Sequence, residues 1–584
     1  MKIKKEDGKK SENFEISRNK IKLYALENAL AHKGKAVSGP VLNALFAEGL
    51  KKENIGKAGI LIREVIDEIN SLSIEEQQNE FDSIQKAGEK ISKREVRESL
   101  PPLPNVNGKV VMRLAPFPSG PLHIGNARPY ILNDEYVKNY KGKLILVIDD
   151  TISSEEKPIE PESYDLIKEG FDWLKINYDK KIIYKSDRLK IYYAYAGELI
   201  KKGYMYVCSC SKEEFQELRK QGKECPCRHL PREEQEKRWK KMFLSETKQG
   251  ELVVRLKTSM QHENPAFRDR VMFRISDRMH PKIGKKYKVW PLLEFSWAID
   301  DHLLGITHIL RGIDLMMETE VEKFIWNIFH WSHPEVIHIG FFKIEGVKIS
   351  KSKGAKEVHS GDYIGWNDPR LWSLQSLRDR GIKPEAIREF ILNMGITKTN
   401  STVAVDVLYA INKKYLEKSP RYFFVSEPVK IHISGAPELE ANIPLHPDEF
   451  LEMGFRKYKT GQDFFISKKD CDFLDYGDYR LMHLLNFRCE KISMMKPRYF
   501  HFLSEEPQPE LKVRFLHWLP ADKLNEFKNV KVFVRMPDNS VISGLGEKYL
   551  IDMKKGGTAQ FERFGFVSLY KKTKNHLEFW FAHS

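Results

Sequence analysis

The chain has 584 residues, 41% of them hydrophobic, with 97 Lys plus Arg against 82 Asp plus Glu and a net charge of +15. That balance fits a large globular protein of roughly three to four domains and excludes a disordered chain. No stretch approaches the ~18 uninterrupted apolar residues of a bilayer span, and the lysine-rich start MKIKKEDGKKSENF lacks an apolar core behind it, so a cytoplasmic protein with no membrane association is expected.

The positive balance favours a polyanionic partner such as nucleic acid, although lysine-rich composition alone identifies none. Six cysteines are too few for a disulfide scaffold. Four of them fall between positions 208 and 227, which points to metal chemistry in a reducing compartment, while Cys471 and Cys489 read as core residues.

In chain order, residues 1–98 read as a helical appendage, with apolar positions three and four apart at Leu23, Leu26 and Leu30 and again at Ile62, Val65, Ile66 and Ile69. The Pro-rich stretch Ser99–Gly108 serves as a linker. Val110–Ala115 has strand composition, Pro116–Pro121 is a turn, a helical pattern runs through Ile131, Leu132, Tyr136, Val137 and Tyr140, and Lys143–Ile148 is a second strand. Such a βαβ unit predicts a parallel sheet covered by helices on both faces, with nucleotide bound at the carboxyl ends of its strands.

Helices are expected at 162–176 and 187–202, closing the first half of a catalytic domain over 99–205. Residues 206–285 interrupt that pattern and read as an insertion that carries the four cysteines. The sheet domain resumes near Lys288-Val-Trp290 over 286–366, and a helical connection over 367–418 holds helices at 368–380 and 384–394. From 419 to 584 the texture changes to short strands such as Arg421–Val425, Val429–Ile433, Val530–Val534 and His576–Phe581, which suggests a barrel or sandwich.

Chemistry concentrates first in Arg113–Asn126, where a strand ends and a helix begins, because backbone N–H groups and the helix dipole there favour phosphate. Gly120 and Gly125 allow close approach of the main chain, and His123 can donate to a phosphate oxygen as charge builds on it. Gly346–Gly354 is a second site, a cationic loop between glycines with Lys351 as the main contact and Lys348 and Ser350 in support. Cys208-Ser-Cys210 and Cys225-Pro-Cys227, fourteen residues apart, have the donors of a closed structural zinc knuckle; four reduced thiols is the alternative on residues alone.

Pro121-Leu-His-Ile-Gly-Asn126 resembles the HIGH signature of class I aminoacyl-tRNA synthetases, and Lys348-Ile-Ser-Lys-Ser352, about 225 residues later, resembles their KMSKS signature. Arg113-x-Ala-Pro-x-Pro-Ser-Gly120, Ile148-Asp-Asp-Thr151 and Asp300–Arg311 look like the glutamyl and glutaminyl subgroup. The β-rich end with Gln560–Phe566 looks like its archaeal and eukaryotic branch, so residues 100–584 resemble archaeal-type glutamyl-tRNA synthetases. Four positions depart from the pattern: Asn126 replaces a final His, Ile349 a Met, Val147 an Arg and Leu293 a Tyr.

The resemblance implies an α/β, Rossmann-like catalytic domain with an inserted acceptor-binding domain, an N-terminal helical appendage and a C-terminal β-barrel region that binds the anticodon. It implies ATP at Pro116, Ser119, Gly120, His123, Gly125, Asn126 and Lys351, with His123, Lys348, Ser350 and Lys351 acting together with Mg²⁺. Arg113, Ala115, Asp149 and Arg311 would hold the amino acid, the arginines on carboxylates and Asp149 on the α-ammonium. An Arg at 311 goes with glutamate in that family, so glutamate and tRNA(Glu) are the expected substrates of a monomeric ligase, with tRNA(Gln) left open. The competing readings are a glutaminyl-tRNA synthetase, a catalytically silent tRNA-binding paralogue, and another nucleotidyl transferase with a similar His-x-Gly site.

Overall fold

The computed structural model describes residues 17–31, 34–47, 55–86, 100–152, 158–347, 351–491, 498–508, 513–522, 524 and 528–584. It divides into two compact units, 1–98 and 99–584. In the first, helices α1 (Arg18–Ala31), α2 (Ser38–Ala47), α3 (Ile55–Asn70) and α4 (Ile74–Lys86) fold around Ile21, Leu26, Val41, Ile62, Val65 and Ile69. Of the expected apolar positions, Leu23 and Leu26 on α1 and Ile62, Val65, Ile66 and Ile69 on α3 are buried, and Leu30 is half-buried.

The second unit opens with β1 (Val111–Leu114), α5 (Ile124–Asn139), β2 (Lys143–Ile148), α6 (Ser163–Trp173) and β3 (Ile183–Tyr184), whose strands pair in parallel in the order β1-β2-β3. After α7 (Leu189–Lys201) comes a four-stranded antiparallel sheet of β4 (Met205–Cys208), β5 (Val253–Leu256), β6 (Val271–Ile275) and β7 (Val289–Pro291), with α8 (Lys212–Gln221) and α9 (Arg232–Lys241) between its first two strands. The segment Lys288-Val-Trp290, expected to reopen the parallel sheet, instead completes this inserted one by pairing with β6. Trp290 is fully buried among inserted-sheet and helix residues, and its burial outweighs the strand's position in the sequence.

The chain then adds α10 (Leu293–Leu303), β8 (His308–Gly312), α11 (Met316–Ile328) and β9 (Glu335–Ile339), with β8 and β9 parallel. Thr307 N–H donates to the Val111 carbonyl at 2.9 Å, and Val111 N–H donates to Thr307 Oγ1 at 2.9 Å, joining this pair to β1. Alternate residues of β2 enter different cores. Leu144, Leu146 and Ile148 pack with Ile131, Phe171 and Phe390, whereas Ile145 and Val147 pack with Leu189, Tyr192, Phe295 and Val321. Burial on both faces is what requires the unbroken apolar run of this strand.

Next come β10 (Phe342–Ile344), α12 (Lys351–His359), α13 (Leu374–Arg380), α14 (Pro384–Met394), β11 (Ser401–Val403) and α15 (Val405–Leu416). Helix α13 starts later than the expected 368, because Pro369 interrupts the pattern and Ser373 caps the helix by accepting from Ser376 N–H at 3.0 Å. The buried Arg128 of α5 donates to the carbonyls of Gly340 at 2.6 Å and Gly395 at 2.9 Å, tying that helix to the approaches of β10 and β11.

The described residues from 421 onward form two seven-stranded sheets and a two-stranded hairpin, the strand-rich architecture the sequence predicts. In one sheet the two edge strands are Arg421–Tyr422 and Phe424–Ser426, consecutive in the chain, so the sheet is nearly closed. The fully buried Glu547 sits at that seam, accepting from Phe423 N–H at 2.5 Å, from Tyr458 OH at 2.9 Å and from the Arg456 guanidinium. No helix among the described residues is long and apolar enough to cross a membrane.

Candidate active site

The carboxyl ends of β1 and β2 and the amino end of α5 meet at one edge of the parallel sheet, and the Asp149 N–H donates to the Pro116 carbonyl at 3.0 Å across that edge. His123 is the N-cap of α5. Its Nδ1 accepts from Asn126 N–H at 3.3 Å, and Asn126 Oδ1 accepts from His123 N–H at 3.4 Å, a reciprocal cap. With Nδ1 accepting, the neutral ring carries its proton on Nε2, the atom that can donate to an anion at the helix end.

A Cβ at Gly125 would lie 3.0 Å from the imidazole, so glycine there makes room for the ring. Gly120 adopts φ +139° beside the Trp366 ring, a conformation other residues rarely take. Pro116 and Gly120 are buried, and Ala115, Ser119, His123, Gly125 and Asn126 are half-buried along the same turn. Lys348 and Ser350 lie outside the described residues, as does the side chain of Lys351, whose backbone opens α12.

Arg113, Asp149 and Arg311 are all buried at the strand ends. Each is already engaged. The Arg113 guanidinium forks onto Asp301, with Nη2 to Oδ2 at 2.9 Å, and Arg311 forks onto Glu322 at 2.9 and 2.5 Å while also donating to Thr319. Asp149 accepts from Thr151 Oγ1 at 3.1 Å, Trp297 Nε1 at 3.1 Å and Lys185 Nζ at 3.2 Å. Where independent cations were expected, the fold has a lattice of matched charges, because a buried guanidinium without a carboxylate would be costly.

The neighbouring Asp150 is tied to Ser186, through its N–H at 2.8 Å and its Oγ at 2.7 Å, and to Tyr164 OH at 3.1 Å. Burial raises its carboxyl above the usual range. His280 Nε2 of the inserted segment donates to the Asp150 carbonyl at 2.7 Å, which fixes the insertion against the end of β2.

The family model described as tRNA synthetases class I (E and Q), catalytic domain, matches residues 109–418, and two anticodon binding domain models of the same family match 419–500 and 501–570. The chain belongs to this class I synthetase family. It is 43% identical over 572 residues to the glutamate-tRNA ligase of Pyrococcus furiosus, an alignment that covers 96% of this chain and 98% of that one. The corresponding ligase of Methanocaldococcus jannaschii is 40% identical, with 97% and 99% covered.

Within this synthetase site, sequence reasoning missed Lys185, Trp297, Asp301 and Glu322. Asp301 stands inside the Asp300–Arg311 segment of the resemblance, but its pairing with Arg113, 188 residues earlier, has no local signal. Lys185 and Trp297 carry no local signal, since a lone lysine reads as surface and a lone tryptophan as core.

The four cysteines come together in the inserted segment, their sulfurs all within 4.8 Å of one another. Cys208 and Cys225 sulfurs are 3.8 Å apart, and those of Cys210 and Cys227 are 3.9 Å apart. A tetrahedron with metal-sulfur bonds of about 2.3 Å has edges of about 3.8 Å, so the spacing fits zinc. The Cys208 thiol hydrogen bond holds the Cys225 thiol down at about 5, while the same bond pushes Cys208 up and burial raises Cys210 to about 11, so Cys225 is the thiolate of the pair and Cys208 its donor.

Proposed function

We propose that the chain joins L-glutamate to ATP, forming glutamyl-adenylate and diphosphate, and then passes the glutamyl group to the terminal ribose of tRNA(Glu), releasing AMP. The observation that carries this reading is the meeting of Arg113, Asp149 and the His123-capped end of α5 at one sheet edge, in a chain that aligns over almost its full length with glutamate-tRNA ligases.

In the first step a glutamate α-carboxylate oxygen attacks the α-phosphorus, and the bond to the bridging oxygen of the leaving diphosphate breaks. Charge grows on the phosphate oxygens. His123 Nε2–H and the N–H groups opening α5 donate to them, with Lys348, Ser350 and Lys351 closing from the second loop. Pro116, Ser119, Gly120, Gly125 and Asn126 shape the bed on which ATP lies. Mg²⁺, when bound, supplies further positive charge to the phosphates.

Asp149 takes the α-ammonium on its Oδ1 side, and Arg113 and Arg311 share their carboxylate partners with those of glutamate, with Ala115 against the substrate backbone. In the second step a ribose hydroxyl attacks the acyl carbon and the mixed anhydride opens to AMP, a reaction that needs positioning more than a strong base. Purified protein given ATP, total tRNA and either labelled amino acid should charge tRNA with glutamate. Charging with glutamine alone, or with neither, overturns the reading; charging of both tRNA(Glu) and tRNA(Gln) with glutamate would identify a second tRNA substrate. The enzyme is taken to act as a monomer.

Deprotonated together on binding, Cys208, Cys210, Cys225 and Cys227 would hold Zn²⁺ in a closed structural site that clasps the two ends of the 208–227 stretch within the inserted segment. Cys225→Ser should reduce zinc from one per chain to near none by elemental analysis and speed proteolysis of residues 209–250. Unchanged zinc content would remove the assignment.

A further inference from the structure

Lys185 touches Asp149 directly, and the reaction scheme above gives it no role. It begins the short turn Lys185–Arg188 after β3, and its side chain is fully buried. Its Nζ donates to Asp149 Oδ2 at 3.2 Å and to Ser296 Oγ at 2.7 Å, and it stands 3.5 Å from the centre of the Trp297 ring. Ser296 Oγ gives its own proton to the Leu293 carbonyl at 3.0 Å, so towards Lys185 it can only accept. Three electron-rich partners therefore face one nitrogen, which matches the three N–H donors of an ammonium and leaves no place for an amine lone pair.

Arg113 Cζ also stands 3.5 Å from the centre of the Trp297 ring. Two cations at that height cannot share one face, so the indole lies between them. Its Nε1–H joins Lys185 on Asp149 Oδ2. The ion pairs around Arg113, Asp149 and Arg311 are Arg113 with Asp301, Lys185 with Asp149, the half-buried Arg188 with Asp300, and Arg311 with Glu322, one cation to each carboxylate, while the buried Asp150 turns instead to Ser186 and Tyr164. Burial holds the Lys185 ammonium below its usual value, opposed by the Asp149 and Asp300 carboxylates.

Glutamate brings one net negative charge into this lattice and glutamine brings none. We propose that Lys185 is a specificity-determining residue for the amino-acid side chain: its ammonium cancels Asp149, so that a side-chain carboxylate enters a neutral pocket and not an anionic one. The proposal rests on the reading of Arg113 and Asp149 as the amino-acid site. Without the ammonium, Asp149 becomes a second like charge in a dry pocket, where such repulsion is screened least.

The test is tRNA charging by the full-length Lys185→Met and Lys185→Gln variants with glutamate and with glutamine. The preference kcat/KM for glutamate over glutamine should fall at least tenfold, chiefly through a higher KM for glutamate, while the KM for ATP stays within about twofold. Because the preference is a ratio taken on one preparation, partial unfolding of a variant does not alter it. The double variant Lys185→Met with Asp149→Asn restores the charge balance and should recover the preference lost in Lys185→Met. An unchanged preference in both single variants, or an equal loss of kcat for both amino acids, overturns the proposal. Asp149→Asn alone separates the two levels: if it leaves the KM for both amino acids at the wild-type value, the reading of the site itself is wrong, and if it raises both while the Lys185 variants keep the preference, only the role of Lys185 is wrong.

Discussion

Replacing His123 by alanine is expected to lower the rate of tRNA charging by about 10²–10³-fold, a loss of about 2.7–4 kcal/mol, the size associated with removing one donor to developing negative charge. The argument is geometric. The ring accepts from Asn126 N–H through Nδ1, which places the proton on Nε2, and Gly125 leaves room for that orientation. Alanine would also remove the cap of α5, at about 1 kcal/mol of stability. His123→Asn separates these effects, since an amide still accepts at the N-cap but cannot reach as an imidazole does. Steady-state charging kinetics beside thermal unfolding should show both variants slow and only the alanine variant less stable. A His123→Asn enzyme charging at the wild-type rate would take the imidazole out of the reaction.

The largest stability effect is expected at Glu547. Its carboxylate is fully buried and satisfies Arg456, Tyr458 and the Phe423 N–H at once. Glu547→Ala would strand the Arg456 guanidinium, whose side chain is only 1% exposed, as an unpaired buried charge, at about 3–5 kcal/mol. Replacing both partners with Arg456→Met and Glu547→Leu should restore much of the loss, because apolar groups of similar volume do not leave a charge behind. Denaturant unfolding of the three proteins checks this, with equal stability of Glu547→Ala and wild type as the refuting result. Weakened tRNA binding should accompany the unfolding, since the seam lies in the anticodon-binding part of the family.

Much of the architecture was legible because single segments carried it. Leu144 to Ile148 reads as a strand buried on two sides, and alternate residues of that run do enter two cores. The His123 turn announced itself through glycines at a strand-to-helix junction, and the cysteine pairs through their spacing. What could not be read were pairings between distant segments. Nothing near Trp290 tells a strand of the parallel sheet from the last strand of the insertion, because the choice depends on β6 as its partner. Arg311 and Arg113 looked available to a substrate because their partners, Glu322 and Asp301, are 11 and 188 residues away. Lys185 was silent for the same reason, its buried setting being made by Asp149, Ser296 and Trp297 from other elements.

The two margins of the nearly closed sheet belong to a stretch of chain interrupted only by Phe423, whose amide is spent on Glu547. Unsatisfied strand margins are where foreign chains add on and fibrils begin, and proteins guard them by keeping them short or covered. Here both margins are two or three residues long and fastened by one carboxylate. Loosening that fastening should therefore reveal itself first as stickiness, with copies of the chain associating at temperatures where their catalytic ends still work.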